Sequence, residues 1–170
     1  MERLREKAAS LGISLNDAQL AQFEKYYEML VEKNKVMNLT AITEKEEVID
    51  KHFADSLAII KTNVSLDGKK LLDLGTGAGF PGIPLKIAFP KSEILLMDSL
   101  NKRIKFLHEV IEELDLDGIS AIHGRAEDFA KKKEYRETFD YVVSRAVADL
   151  AVLSEYCMPR SEERRGGKEC

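Results

Sequence analysis

Residues 71–85, LLDLGTGAGFPGIPL, constrain the fold more than any other stretch of the chain. An apolar run, broken by Asp73, leads into glycines at three alternate positions, Gly75, Gly77 and Gly79. Glycine adopts positive φ without steric cost and lets a ligand approach the backbone closely. Pro81 and Pro84 follow, and proline suits only the first turn of a helix, so a helix starts near them. The order is therefore strand, glycine loop, helix, the opening unit of many nucleotide-binding α/β sheets.

The rest of the chain agrees with that unit. KKLLDLG (69–75), EILLMD (93–98), GISAIH (118–123) and FDYVVS (139–144) read as four strands. Between the second and third, Leu100, Ile104, Leu107, Ile111 and Leu114 form a helical stripe, with Ser99 as its expected cap. Alternating strands and helices predict parallel strands joined by crossovers, a doubly wound sheet that binds ligands beyond the carboxyl ends of its strands. Before Lys69 the pattern is helical. Leu20, Phe23, Tyr27, Leu30 and Val31 mark one amphipathic helix. Thr43 and Glu46 have capping-box spacing for another, running through Ile60 with Leu57 and Ile60 facing the core. The segment AVADLAVLSEYCMP also has helical spacing.

Three readings of the glycine loop compete. It could be a tight structural turn. It could bind a dinucleotide, but that fingerprint places two residues between its second and third glycines, and Phe80 stands where the third should be. Thirdly, G-x-G-x-G with an acid just upstream is similar to motif I of class I S-adenosylmethionine-dependent methyltransferases. In that class the acid, here Asp73, lies near the methionine amine, and Gly75, Gly77 and Gly79 pass under methionine and ribose. A carboxylate favours an ammonium and repels a pyrophosphate. Asp98 ends the second strand, 23 residues after Gly75. It can accept hydrogen bonds from both hydroxyls of a ribose, which fits either nucleotide, or it can simply neighbour a helix cap. The same resemblance puts Ala126 and Glu127 beside adenine, although acids also favour a helix N-terminus. It puts Ser144, Arg145 and Ala146 at the methyl-transfer pocket. A buried arginine needs a partner, and the methionine carboxylate, a substrate phosphate or a base edge could serve; an ordinary surface arginine is the alternative.

Taken together, NLTAITEKEEVIDKHFADSL (38–57), the glycine loop, MDSLNKRIKFL (97–107), GRAED (124–128) and VVSRAVA (142–148) resemble the glucose-inhibited division protein B family. The resemblance covers residues 1–159. It implies a class I, Rossmann-like doubly wound α/β sheet, incomplete at its C-terminus, with an N-terminal helical extension over residues 1–62 and the core over 63–159. It implies methyl transfer from S-adenosylmethionine to N7 of a guanine at position 527 of 16S ribosomal RNA in the small ribosomal subunit. Gly75, Phe80, Ala126, Glu127 and Arg145 match its cofactor positions, while Asn38, His52, Asp55 and Ser56 match its substrate-side signature. The catalytic residues are left open among Arg145, His52 and Asp55. His52 with Asp55 three residues on could equally be a paired structural histidine. Guanine N7 carries no proton to lose, so no general base is required. The rival readings are a non-catalytic S-adenosylmethionine-binding fragment and a methyltransferase acting on another substrate.

Composition sets the remaining expectations. With 44% hydrophobic and 33% charged residues, the 170-residue chain is a globular protein. Its formal charge of −4 gives no support to a nucleic-acid partner. The basic groups Lys102/Arg103/Lys105, Lys131/Lys132/Lys133 and Arg3/Arg5/Lys7 read first as solvated faces. No apolar run approaches the roughly 20 residues of a membrane helix, and MERLREKAAS lacks the apolar stretch of a secretory signal. Cys157 and Cys170 have no metal-ligand spacing. A cytoplasmic monomer without metal or membrane partner is expected. Residues 160–170, RSEERRGGKEC, resemble a translated sequencing adapter and are expected to be non-native, the natural chain continuing past Pro159.

Overall fold

The computed structural model describes residues 1–131, 137–144 and 151–152. Two helices open the chain, α1 (Glu2–Ser10) and α2 (Asp17–Asn34). A capping box starts α2: Asn16 Oδ1 accepts from Gln19 N–H, and Gln19 Oε1 accepts from Asn16 N–H. The buried stripe of α2 is Leu20, Phe23, Tyr26 and Leu30. It therefore runs one residue from the expected face, and Tyr27 and Val31 are only half-buried.

The next helical stretch comprises α3 (Lys45–Val48), a π-helical segment (Ile49–Ala54) and α4 (Asp55–Leu57). The Thr43–Glu46 capping box does not form: Glu44 is the N-cap and no side chain caps the helix. Thr43 instead offers its carbonyl to the Tyr27 hydroxyl at 2.8 Å. The wider π winding turns the chain relative to an α-helix, and Phe53, Leu57 and Ile60 are buried on the core side.

The strands follow as β1 (Lys70–Leu74), β2 (Glu93–Asp98), β3 (Ile119–His123) and β4 (Tyr141–Ser144). They alternate with α5 (Gly82–Ala88), α6 (Asn101–Glu113) and α7 (Ala126–Lys131). The four strands are parallel, in the order β3-β2-β1-β4. The chain steps outward from β1 to β3 and then returns to β1's other side, so the sheet is doubly wound with its switch point between β1 and β4. Each face of the sheet has its own core. Leu71, Ile94, Leu96 and Val143 pack with residues of α2, α5 and α6, and Leu72, Leu74, Met97 and Val142 pack with Phe129 of α7.

Three further expectations change. Ala151–Val152 is a short strand, β5, antiparallel to β4, inside a segment whose spacing reads as helical. The pairing satisfies backbone groups on β4 that would otherwise form an open edge. Ser99 does not cap α6: its N-cap is Leu100, with no side-chain cap bond. Leu100 also leaves the apolar stripe, being 40% exposed, while Phe106 and Val110 are buried in the helix. The 160–170 segment, Cys157, Lys132 and Lys133 lie outside the described residues.

Candidate functional site

Parallel register brings four chain segments to one edge. Leu74 pairs with Met97 and with Ser144, and Asp98 pairs with His123. The glycine loop, Asp98, the β3–α7 turn and the end of β4 therefore share the carboxyl edge, at the switch point. Ala126 and Glu127 stand there, exposed, at the start of α7. Arg145, the next residue after β4, lies outside the described residues.

The loop is held by bonds along its length. Gly75 and Thr76 N–H both donate to Met97 O, at 2.8 and 3.0 Å. Gly77 N–H donates to Asp98 Oδ2 at 2.8 Å. Gly79 and Phe80 N–H both donate to Thr76 O at 3.0 Å. Asp73, fully buried at the end of β1, accepts from Thr76 Oγ1 at 2.7 Å and from Gly82 N–H at 2.9 Å, both through Oδ2. Thus a carboxylate occupies the start of α5, where a dinucleotide-binding loop would present free N–H groups to a pyrophosphate. Pro81 and Pro84 have no N–H to offer, and Ile83 N–H is bonded to Gly79 O at 2.8 Å.

The glycines divide into two kinds. Gly75 and Gly77 have φ of +69° and +60°, and a Cβ on either would meet no atom within 4 Å. They face open space. Gly79, at φ +110°, faces protein instead: a Cβ would lie 2.6 Å from Tyr26 Oη and 2.7 Å from Ile83 Cδ1. Gly82 has the same character, a Cβ there falling 2.2 Å from Leu96 Cδ2. Asp98, 2% exposed, bridges loop and helix. Besides Gly77 it accepts from Leu100 N–H at 3.0 Å and from Arg103 Nη1 at 3.4 Å, both on Oδ1. A carboxylate accepts about two hydrogen bonds per oxygen, so Oδ2 retains capacity for a ligand hydroxyl.

The N-terminal helices complete one wall. Phe80 is buried, and His52 stacks on it with ring centroids 4.5 Å apart and planes at 14°. His52 Nε2 is hydrogen-bonded to Thr40 Oγ1 at 2.8 Å. Thr40 belongs to a turn that Asn34 organises, its Oδ1 accepting from Leu39 N–H at 2.7 Å and Thr40 N–H at 2.9 Å. Of the other substrate-side candidates, Asn38 and Asp55 are exposed. Ser56 is buried and donates to the His52 carbonyl, a bond along its own helix. Tyr26 from α2 reaches the loop itself, donating to Ala78 O at 2.6 Å.

Sequence reasoning missed Tyr26, Thr76, Thr40 and Arg103. Only Tyr26 left a signal, since it is as compatible with the α2 periodicity as Tyr27. Two surface grooves lie elsewhere, one of about 400 Å³ between α2 and α6 and one of about 450 Å³ along the amino ends of the strands. Neither is lined by a residue of the glycine loop. No group of three or more potential metal-ligating side chains exists among the described residues. No helix among them is long and apolar enough to cross a membrane.

Comparison with known proteins shows the family of the chain. Residues 19–166 match the family GidB, described as rRNA small subunit methyltransferase G. The chain is 65% identical over 150 residues to the ribosomal RNA small subunit methyltransferase G of Lachnoclostridium phytofermentans, covering 88% of this chain and 62% of the relative. It is 56% identical over 156 residues to the protein of that name from Desulforamulus reducens, covering 92% and 65%. The chain thus spans less than two thirds of the length of these relatives. Among solved structures, precorrin-6y C5,15-methyltransferase from Geobacter metallireducens shows 14% identity and a TM-score of 0.45 over 64% of this chain and 65% of its own.

Proposed function

Because the chain belongs to the GidB family, rRNA small subunit methyltransferase G, we propose that it transfers a methyl group from S-adenosylmethionine to N7 of a guanine in 16S ribosomal RNA. A ribosomal substrate would place its work in the cytoplasm, on the small subunit. The observation that carries the cofactor reading is the bonding of the loop. Gly75, Thr76, Gly77, Gly79 and Phe80 all use their N–H groups within the chain, and Asp73 stands at the start of α5. Such a loop has little to offer a pyrophosphate. It fits a ligand that lies over Gly75 and Gly77 by close approach and carries a cationic amino acid group.

S-adenosylmethionine, when bound, supplies an electrophilic sulfonium methyl. The chain's residues have the tasks of binding and orientation. Gly75 and Gly77 leave room over the loop, Asp98 Oδ2 offers an acceptor to a ribose hydroxyl, and Ala126 and Glu127 border the place for adenine. Guanine N7 has a lone pair and no proton, so no side chain need remove one. His52, stacked on Phe80 and tethered to Thr40, forms a rigid wall beside the loop. Holding two reactants in line contributes on the order of 7–11 kcal/mol in favourable cases, and rigid walls serve that effect.

The test is incubation of the chain with methyl-labelled S-adenosylmethionine and small ribosomal subunits from cells lacking the modification. Label in 16S RNA as 7-methylguanine is the expected result. Label in ribosomal protein or at another base position would overturn the substrate, and binding without transfer would reduce the chain to a cofactor-binding module.

A further inference from the structure

We propose that Tyr26 is a positioning residue for the cofactor, its hydroxyl acting from the N-terminal helix to fix the open face of the glycine loop. The proposal rests on the reading of that loop as the cofactor site. Tyr26 is fully buried. A hydroxyl removed from water without a partner is costly, and this one donates to the Ala78 carbonyl at 2.6 Å. Its ring is wedged between Phe53, stacked at 5.4 Å, and Phe80, tilted at 5.7 Å. The hydroxyl therefore has little freedom to leave Ala78.

Ala78 is the position where such an anchor matters. It stands between Gly77 at φ +60° and Gly79 at φ +110°, two residues that resist rotation least. Asp98 pins the stretch on one side through Gly77 N–H, at 2.8 Å. Tyr26 pins it on the other through the Ala78 carbonyl. Between these two anchors lies the backbone whose Gly77 face is open to a ligand. Gly79 makes the second anchor possible, since any Cβ there would collide with the Tyr26 hydroxyl. The parallel sheet supplies only the Asp98 anchor; the Tyr26 anchor comes from a helix outside it. Loss of the Tyr26 hydroxyl removes the bond on the carbonyl side of the peptide between Ala78 and Gly79 and leaves that of Gly79 N–H to Thr76 O; the loosened peptide must then be ordered by ligand binding.

The experiment is titration calorimetry of S-adenosylhomocysteine into the whole chain, as wild type, Tyr26→Phe and Val110→Ala. Tyr26→Phe is expected to raise Kd about fivefold to tenfold, a loss of roughly one hydrogen bond's net contribution. Val110→Ala removes buried volume from the core far along α6 from Asp98, and is expected to lower Tm while leaving Kd within about twofold, as a remote packing change does when sites are independent. Equal affinity in wild type and Tyr26→Phe overturns the anchor alone. So does an equal loss in Val110→Ala, which would mean that general loosening suffices. A wild type with no affinity overturns both the cofactor reading and the anchor. Should Tyr26→Phe not fold, exchange of the Tyr26 hydroxyl proton in the free wild type decides: a slowly exchanging hydroxyl supports the anchor, and one exchanging at the solvent rate contradicts it.

Discussion

At the scale of single residues, His52 carries the sharpest mechanistic consequence. Its ring is placed by two contacts of different kinds, a stack on Phe80 and a hydrogen bond to Thr40. In the proposed reaction neither contact is needed to move a proton, because alkylation of guanine N7 releases none. His52→Phe keeps the stack and loses the hydrogen bond, and His52→Gln does the reverse. Both are expected to lower kcat/KM for RNA by about tenfold through looser orientation, well short of the loss of 10²-fold or more that removing a general base brings. The wild-type pH–rate profile should lack a titrating base between pH 6 and 9, roughly the range in which a histidine base would act. A profile falling below a pKa near 7, together with near-complete loss in His52→Phe, would make His52 a base and refute the orientation account.

At the scale of elements, the glycine loop changes character between Gly75, which faces open space, and Gly79, which faces protein. Gly79→Ala puts a methyl group against Tyr26 and Ile83 at a φ of +110°, so both packing and backbone resist it. Overpacking of this kind costs about 1–3 kcal/mol, and a clear fall in Tm is expected. Gly75→Ala meets only the left-handed backbone strain, about 1–2 kcal/mol, and its methyl group enters open space. Its main expected effect is loss of S-adenosylhomocysteine affinity by tenfold or more, read by calorimetry. If Gly75→Ala bound normally, the ligand would not lie over that face. The sequence alone distinguished none of this, because all three glycines obey the same spacing. The strands could be read from it, since buried parallel strands are near-continuous apolar runs. The helix ends could not. Thr43–Glu46 has capping-box spacing, yet the Tyr27 hydroxyl holds the Thr43 carbonyl and the helix starts from Glu44. The aromatic packing of Tyr26 and Phe53 behind His52 escaped notice because it depends on the register of α2 and on a π-helical turn, and both are settled by tertiary packing.

At the scale of the whole molecule, the acidic net charge hides a local arrangement of charges. Arg3 and Arg5 at the N-terminus are neutralised by Asp50, Glu2 and Asp17, and Lys7 lies 3.6 Å from Asp50. Lys102, Lys105 and Arg125, near the carboxyl edge, are exposed and have no ion pair among the described residues. The Arg3 guanidinium, hydrogen-bonded to Asp50, pulls that carboxyl down from 3.8 to about 2. A carboxyl lowered on folding contributes stability that is complete above its unfolded value and is lost as pH falls through the folded one. The acid melting curves of wild type and Asp50→Asn should therefore differ above pH 3.8 and converge as the pH approaches 2. The difference will be small, since the pair is solvated and screened. Curves that stay parallel down to pH 2 would show that the Arg3–Asp50 pair does not couple to folding.

The expectations for His52, Gly75 and Tyr26 presuppose that the carboxyl edge holds S-adenosylmethionine and not a dinucleotide. The most direct measurement is parallel calorimetric titration of the chain with S-adenosylhomocysteine and with NAD. A loop whose amides are used internally, with Asp73 at the start of α5, predicts one-to-one binding of S-adenosylhomocysteine and no heat from NAD. Binding of NAD as tight as, or tighter than, S-adenosylhomocysteine would contradict the account at its base.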